Sequence, residues 1–201
     1  MKNRANHFQL NLISQYRYLI LIIFLGVFFS CAKKLYQKND YTFYKENFKL
    51  DASSALRTDG VYVLDHTWTD ENGGTTKLSK EHRFYKFYES GQCNLTLDLS
   101  DQIKTNEDYI NAVSEDFLVK KNTLFEGYYI LENDKIVIQR AVVPRQQFEY
   151  KYGYIKKDSI IFVSATIHGK GKFHDKYFTE TYKEYYFFRP LEIKNDSNPQ
   201  W

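Results

Sequence analysis

Four histidines follow the first 30 residues, and their spacing bears on whether the chain could bind a metal. A zinc site needs three or four converging ligands, commonly including two that lie close together in sequence. His66, His82, His168 and His174 form no such pair. Residues 168–174 carry two Gly-Lys steps, but they lack the glycine spacing and the following helix of a phosphate-binding loop. We therefore expect no metal and no cofactor, and a hairpin loop with solvated lysines at 168–175.

The sequence contains no motif that indicates nucleophilic or acid–base catalysis. Cys93 has no base near it in sequence, so we interpret it as a small core residue. Asp65 and His66 are adjacent in a predicted strand, and adjacent strand residues point to opposite faces, so we expect them not to act together. No Gly-x-Ser-x-Gly motif is present. A carboxylate pair for glycoside chemistry cannot be assigned among Glu149, Glu180 and Glu184. The chain is not expected to be an enzyme.

The remaining candidates are tyrosines, which have an apolar body and a polar tip and suit a half-buried strand surface. Their presence is explained by strand propensity and packing, although exposed aromatic rows also bind sugars and partner proteins. They fall on both faces of the predicted strands, at Tyr85, Tyr88, Tyr128, Tyr129, Tyr150, Tyr152, Tyr154, Tyr182, Tyr185 and Tyr186.

The segments that would position these side chains are short runs rich in Tyr, Phe, Ile, Val and Thr, separated by Gly, Asn, Asp and Ser. This pattern is typical of an all-β domain. Eight strands are predicted, at residues 60–67, 82–88, 92–98, 125–131, 135–142, 147–155, 159–167 and 178–189. A meander of eight strands closes most simply into an antiparallel up-and-down barrel, which removes its exposed edges. A two-sheet sandwich is the alternative.

One segment, residues 105–117, has helical rather than strand periodicity. Thr105 can cap a helix, acidic residues follow in the first turn, and Ile110, Val113 and Phe117 recur at helical spacing. A single helix is therefore predicted between the third and fourth strands, where it either covers one end of the barrel or packs against its outside.

The N-terminus predicts export. Lys2, Arg4 and Arg17 precede twelve uncharged residues, 18–29, and this apolar run is shorter than the roughly 20 residues that span a bilayer. Ser30-Cys31 directly after it resembles the lipobox of bacterial lipoproteins, although Phe28 and Phe29 depart from the preferred residues. The resemblance implies that residues 1–30 are a helical signal peptide and that Cys31 is acylated, which anchors the chain to a membrane.

Charge argues against nucleic acid as a partner. Three of the 28 Lys and Arg residues lie in residues 1–30 and none of the 25 Asp and Glu residues does, so the mature chain carries 25 of each. A nucleic-acid-binding domain needs a concentrated basic face. Residues 31–57 are predicted to be a tether whose second half packs on the domain, residues 58–190 the barrel, and residues 191–201 a tail.

The layout of residues 59–190 resembles the lipocalin-like domains of bacterial lipoproteins. Those domains begin with Gly-x-aromatic, here Gly60-Val61-Tyr62, and end with an aromatic strand carrying a basic residue, here Arg189. If the barrel closes, Arg189 is predicted to lie over the ring of Tyr62 as a cation–π contact. The resemblance implies a small apolar or amphipathic ligand. Tyr62, Arg189, Tyr150 and Tyr152 are the candidate ligand or closure residues.

Two functions remain open. The first is a non-catalytic lipoprotein of the cell envelope, tethered through Cys31 on the periplasmic or surface side of the outer membrane, whose barrel binds a small lipid-like ligand. The second is an envelope scaffold with a solid-packed barrel that docks a partner protein through its tyrosine-rich surface. An interior cavity of a few hundred Å3 favours the first, whereas a filled barrel with an exposed aromatic patch favours the second.

Overall fold

A computed structural model describes residues 36–80, 82–114, 126–142, 147–193 and 199. The predicted signal peptide and Cys31 lie outside these residues. Residues 35–201 form one compact unit. In the described ranges no helix has the length and apolar character needed to cross a bilayer.

Nine antiparallel strands and one α-helix make up the described unit. The strands are β1 Gly60–Thr69, β2 Thr75–Leu78, β3 His82–Phe87, β4 Gln92–Asp98, β5 Glu126–Glu132, β6 Lys135–Val142, β7 Gln147–Lys156, β8 Ser159–Thr166 and β9 Tyr182–Pro190. Helix α1, Asn106–Val113, lies between β4 and β5. Three short 3-10 helices cover Lys38–Asp40, Glu71–Gly73 and Asp175–Tyr177.

The sheet closes on itself, because β1 pairs with both β3 and β9. The first and last strands pair from Gly60 with Pro190 to Thr69 with Tyr182. The predicted eight-stranded barrel with one inserted helix is therefore confirmed. Strand β2, which was not predicted, forms a hairpin with the second half of β1 and adds to the barrel without taking part in its closure.

The two ends of the barrel differ in the length of their connections. At one end β3–β4, β5–β6 and β7–β8 are joined by tight turns; Gly91, Asn133 and Lys157 adopt left-handed backbone angles in them. We call this the closed end, and it also holds the start of β1 and the end of β9. The other end, the open end, carries the connections between β4 and β5, β6 and β7, and β8 and β9, of which the first and the last are long.

Interlocked aromatic rings fill the barrel toward the closed end. Neighbouring ring centroids are 5.3–5.6 Å apart, as in the pairs Tyr62–Phe87, Tyr85–Phe162, Tyr85–Tyr186 and Phe87–Tyr129. Ile136, Ile138, Ile155 and Ile160 complete this cluster, and all are buried. Alternation along each strand places these residues inward and their neighbours outward. The core is thus aromatic and close-packed.

Helix α1 packs against the outside of the barrel. Thr105 accepts a hydrogen bond from the backbone N–H of Asp108, whose carboxylate accepts one from the N–H of Thr105, a reciprocal capping box. Tyr109 and Val113 are buried against Val61 and Phe84 of β1 and β3. Of the two placements predicted, the outer one is therefore correct; residues 115–117 of the predicted helix lie outside the described residues.

Residues 36–58, here called the N-terminal arm, cross the outer face of β5–β7 and then cover the closed end. Tyr36, Tyr41 and Phe43 are buried on that face. Farther along, Phe48 packs on Tyr129, and Leu56 joins the barrel core. The predicted packing of the second half of residues 31–57 on the domain is seen, and it begins as early as Tyr36.

Candidate functional site

Five charged side chains lie on the inward face of the barrel toward the open end. We call Arg83, Arg140, Glu149, Lys151 and Glu184 the open-end cluster. Each occupies the same strand face as an interior apolar residue two, four or six positions away, such as Tyr85 for Arg83, Tyr186 for Glu184 and Ile155 for Glu149. Strand alternation therefore directs them inward, above the aromatic core.

Glu184 is the centre of this cluster. Its carboxylate accepts hydrogen bonds from Lys151 Nζ at 2.5 Å, Tyr182 Oη at 3.0 Å and Tyr186 Oη at 3.1 Å, and Arg83 Nη2 lies 3.8 Å away. Burial disfavours its ionised form, but the charges of Lys151 and Arg83 and the donated hydrogen bonds outweigh burial and lower the pKa of Glu184. Glu184 is therefore ionised at neutral pH.

A second ion pair joins adjacent strands of the same cluster. Arg140 Nη2 lies 2.6 Å from Glu149 Oε2, and their side chains are 22% and 26% exposed. With Arg83, Lys151 and Glu184, the cluster contains three cations and two carboxylates. Because the pairs are partly desolvated, their charges act more strongly than surface charges would. Counted over its five residues, the open-end cluster thus carries one net positive charge.

Lys151 connects the charged layer to the aromatic layer below it. Its ammonium lies 4.7 Å from the ring centroid of Phe162 and 5.6 Å from those of Tyr85 and Tyr186. Ring faces attract cations. An anionic group that enters the open end would therefore meet the cations of the cluster first. The aromatic rings of the core lie directly below them.

Tyr62 and Arg189 do not lie where the resemblance placed them. Tyr62 points inward and pairs in register with Phe188, whereas Arg189 pairs with Val61 and points outward. Arg189 instead lies 4.8 Å from the ring centroid of Tyr109 on α1 and donates a hydrogen bond to Asn106. The predicted contact between Arg189 and Tyr62 is wrong, because the two side chains lie on opposite faces of adjacent strands.

A different arginine covers an aromatic ring at the closed end. The Arg57 guanidinium lies 3.9 Å from the ring centroid of Phe188. The Arg57 backbone N–H donates to Tyr62 Oη at 2.9 Å. Burial, only partly offset by Arg57, raises the pKa of Tyr62 to about 12. Tyr62 therefore fixes the arm to the barrel at the closed end, away from the open-end cluster.

Tyr150 and Tyr152 lie on the outer face of β7, not in the barrel interior. Phe43 of the arm packs on Tyr150 with ring centroids 5.8 Å apart, and Tyr152 stacks on Tyr177 at 4.9 Å. The arm and the segment before β9 cover both tyrosines. Most of the tyrosine row predicted on β7 is therefore occupied by the chain itself.

Asp65 and His66 contact each other, contrary to the expectation from strand alternation. His66 Nδ1 lies 2.7 Å from Asp65 Oδ2. A register shift between Leu64 and His66 marks a bulge, which breaks the alternation and turns both side chains to the outside. The His66 ring stacks on Tyr185 at 4.3 Å. This exposed pair lies outside the barrel and does not meet the open-end cluster.

Within the described ranges, His82, Asp98 and Asp101 are close enough to hold a cation, each offering an atom within 4.8 Å of the others. The hydrogen bonds and ion pairs of these three residues explain their arrangement without a bound cation. Asp98 accepts from the backbone N–H groups of Ser100 and Ile103, and Asp101 lies 2.7 Å from His82 and 3.2 Å from Lys104. Histidine spacing could not reveal this group, because its three residues come from β3, from β4 and from the loop after β4.

A groove of about 290 Å3 lies on the outer face of β7–β9. Tyr154, Ile161 and Tyr185 form its apolar surface, and Lys156 and Lys183 are among its charged residues. Phe187 on β9, a neighbouring outward position, is 47% exposed. The arm leaves this part of the aromatic outer surface uncovered.

Comparison with family models, with curated proteins and with solved structures finds no match to this chain. The fold alone therefore defines the class of protein, which is an all-β barrel with one external helix.

Proposed function

We propose that this chain is a non-catalytic lipoprotein of the cell envelope, anchored through acylated Cys31, whose barrel binds a small amphipathic ligand with an anionic headgroup. The open-end cluster carries the proposal, since it provides three cations and two carboxylates inside the barrel next to apolar rings. The lipocalin resemblance supports the same ligand class.

The depth of the site favours a small ligand. Below the charged layer the barrel is filled by rings that contact one another, such as Tyr85, Phe162 and Tyr186. A long acyl tail would have to displace them, and displacing close-packed rings is costly. The headgroup therefore binds among Arg83, Lys151 and Arg140, while the apolar part remains near the open end.

Binding of dodecanoate to the chain beginning at Ala32, measured by calorimetry, tests this proposal. Dodecanol and dodecyltrimethylammonium serve as neutral and cationic probes of the same length. Arg83→Gln removes one cation of the cluster, and Lys183→Gln removes an outward-facing lysine one position from Glu184 as a matched control. Hydrogen bonds to charged groups contribute about 1.5–3 kcal/mol, so Arg83→Gln should weaken dodecanoate binding tenfold or more.

Two results would contradict the proposal. Dodecanol binding as tightly as dodecanoate would show that the cluster does not recognise charge. Equal weakening by Arg83→Gln and Lys183→Gln would place the binding outside the barrel.

The filled interior and the outer groove favour docking of a partner protein as a second candidate function. On this hypothesis the partner contacts the groove side of β8–β9, where Tyr185 and Phe187 are accessible. Phe187→Ser with an unchanged fold should abolish cross-linking to such a partner in the envelope, whereas Arg83→Gln should leave it unchanged. The reverse pattern would favour the ligand-binding function.

A further inference from the structure

The outer groove is built on one row of side chains that crosses three strands. Tyr154 on β7 pairs in register with Ile161 on β8, and Ile161 pairs with Tyr185 on β9. All three line the groove, so the smaller isoleucine lies between two tyrosines. Neighbouring strands are about 4.8 Å apart, which places the backbones that carry the two tyrosines about 10 Å from each other. The groove therefore has an aromatic ring on each side.

Contacts within the chain hold both rings in place. The Tyr185 ring stacks on the His66 ring with a centroid distance of 4.3 Å and an interplanar angle of 16°. Tyr154 packs on Phe178 with ring centroids 5.3 Å apart. Neither His66 nor Phe178 is among the described residues that line the groove, so each tyrosine presents another part of its ring to it. Rings held in this way lose little freedom when a ligand binds.

Each end of the groove carries one carboxylate and one ammonium group. Asp134 in the β5–β6 turn and Lys156 at the end of β7 line the part nearer the closed end of the barrel. Glu180, just before β9, and Lys183 on β9 line the other part, with Glu180 Oε2 3.5 Å from Lys183 Nζ. Two carboxylates and two ammonium groups sum to zero charge, so the groove is complementary to neither an anion nor a cation.

A neutral sugar matches this distribution of apolar and polar groups. A hydroxyl group is both a donor and an acceptor, so sugar hydroxyls can bind a carboxylate and an ammonium at the same end of the groove. The C–H groups on one face of a pyranose carry a small positive charge, which the negative face of an aromatic ring attracts. Ligand pockets commonly measure about 300–1,000 Å3. The groove, at about 290 Å3, therefore suits a short oligosaccharide.

Two features make a saccharide a better occupant of the groove than a partner protein. Four of the eight described residues that line it are charged, whereas the core of a protein interface is depleted of charged residues. A specific protein interface also buries about 800 Å2 on each partner. Among the described outward residues of β7–β9, Phe187 is the one exposed large apolar side chain, so no extended apolar patch surrounds the groove.

We propose that the outer groove binds a neutral oligosaccharide, which lies across β7–β9 with its C–H faces on Tyr154 and Tyr185. Its hydroxyl groups bind the paired charges at the two ends of the groove. The site uses neither the open-end cluster nor Cys31, so this inference goes beyond the proposed function and does not depend on it.

Calorimetric titration of the chain beginning at Ala32, which contains the whole compact unit of residues 35–201, tests the inference. The neutral probes are cellotriose, maltotriose and tri-N-acetylchitotriose, and trigalacturonate is an anionic probe of the same length. Ile161→Trp fills the space between the two tyrosines. Leu78→Trp places the same side chain at a 78% exposed position on β2 and is the matched control. Urea unfolding checks that each variant keeps its fold.

At least one neutral trisaccharide should bind, and trigalacturonate should bind no more tightly. Ile161→Trp should weaken binding by about tenfold or more because the indole occupies the groove, whereas Leu78→Trp should leave it unchanged. Tyr185→Leu keeps an apolar side chain but removes one ring, and should weaken binding by about threefold to tenfold. In saturation-transfer NMR the ring C–H protons of the bound sugar should receive the strongest transfer.

Several outcomes would overturn the inference. They are no binding of any neutral trisaccharide at millimolar concentration, tighter binding of trigalacturonate, and equal affinity in wild type, Ile161→Trp and Tyr185→Leu. Absence of saccharide binding together with loss of cross-linking to an envelope protein in Phe187→Ser would identify the groove as a protein interface instead. Dodecanoate binding is measured separately, so the saccharide site and the proposed function can fail independently.

Discussion

Replacing Glu184 with glutamine should be the most destabilising charge change in the barrel. The amide keeps the shape of the carboxylate but removes the negative charge that Lys151 and Arg83 share. The Glu184 and Lys151 side chains are only 9% and 14% exposed. Removing one partner of a buried ion pair costs about 3–5 kcal/mol because the other charge stays desolvated. Because both side chains are partly exposed, we expect Glu184→Gln to lower the free energy of unfolding by about 3 kcal/mol, near the lower end of this range.

Urea unfolding of the chain beginning at Ala32 measures this cost. Glu180→Gln is the matched control, since Glu180 lies 3.5 Å from Lys183 with 78% of its side chain exposed. An exposed pair contributes about 0–1 kcal/mol, so this control should lose less than 1 kcal/mol. The double variant Lys151→Met/Glu184→Gln should lose at least 1 kcal/mol less than the sum of the two single variants, because the residues contact each other.

The same substitution should change the acid response of the protein. Because the pKa of Glu184 is lowered from its usual 4.5 in the folded state, its contribution to stability is complete above pH 4.5. It is lost as pH falls from 4.5 through the lower folded-state pKa. The stability gap between wild type and Glu184→Gln should therefore narrow as pH falls below 4.5. A cost below 1 kcal/mol at pH 7, or a gap that stays constant to pH 3, would refute the reasoning.

Three further predictions concern the arm, the core thiol and the helix cap. Phe43→Ala should cost about 3–5 kcal/mol in urea unfolding, because Phe43 is buried against Tyr150; a cost below 1 kcal/mol would show that the arm is not part of the fold. Burial raises the pKa of the Cys93 thiol, so the chain beginning at Ala32 should show no thiol reactive toward Ellman's reagent when native and one when unfolded. Rapid reaction of the native chain would contradict the burial of Cys93. Thr105→Ala should cost about 1 kcal/mol, seen as faster amide exchange in α1; unchanged exchange there would contradict the capping role of Thr105.

The eight strands that close the barrel could be predicted because their boundaries depend on local patterns. The tight turns at Asn133 and Lys157 separate apolar-rich runs, and sequential antiparallel strands favour closure. Strand β2 was missed because residues 75–78 are mostly exposed and carry no inward apolar pattern. The bulge at Asp65 was missed for a related reason, since a register shift depends on the partner strand and leaves no mark in the local sequence.

The open-end cluster could not be assigned from sequence because both faces of the strands are aromatic. On β7, Tyr150 and Tyr152 share one face and Glu149 and Lys151 the other, and the tyrosines look more suited to the interior. The arm reverses this expectation by covering the tyrosines from outside. Gly153, on the same face as Glu149 and Lys151, was the one residue of β7 that could have indicated which face is interior. An added Cβ there would lie 2.8 Å from the Phe162 ring, as expected where the interior is crowded.

Pairing of β1 with β9 has a consequence for how the chain folds. The contacts that close the barrel join residues as distant as Gly60 and Pro190, so they can form only after β9 has been synthesised. Barrels dominated by such distant pairings fold in milliseconds to seconds. Until then β1 lacks its partner on one side, and an unpaired strand edge is prone to aggregation. A chain that ends before Tyr182 therefore loses the partner that closes the barrel.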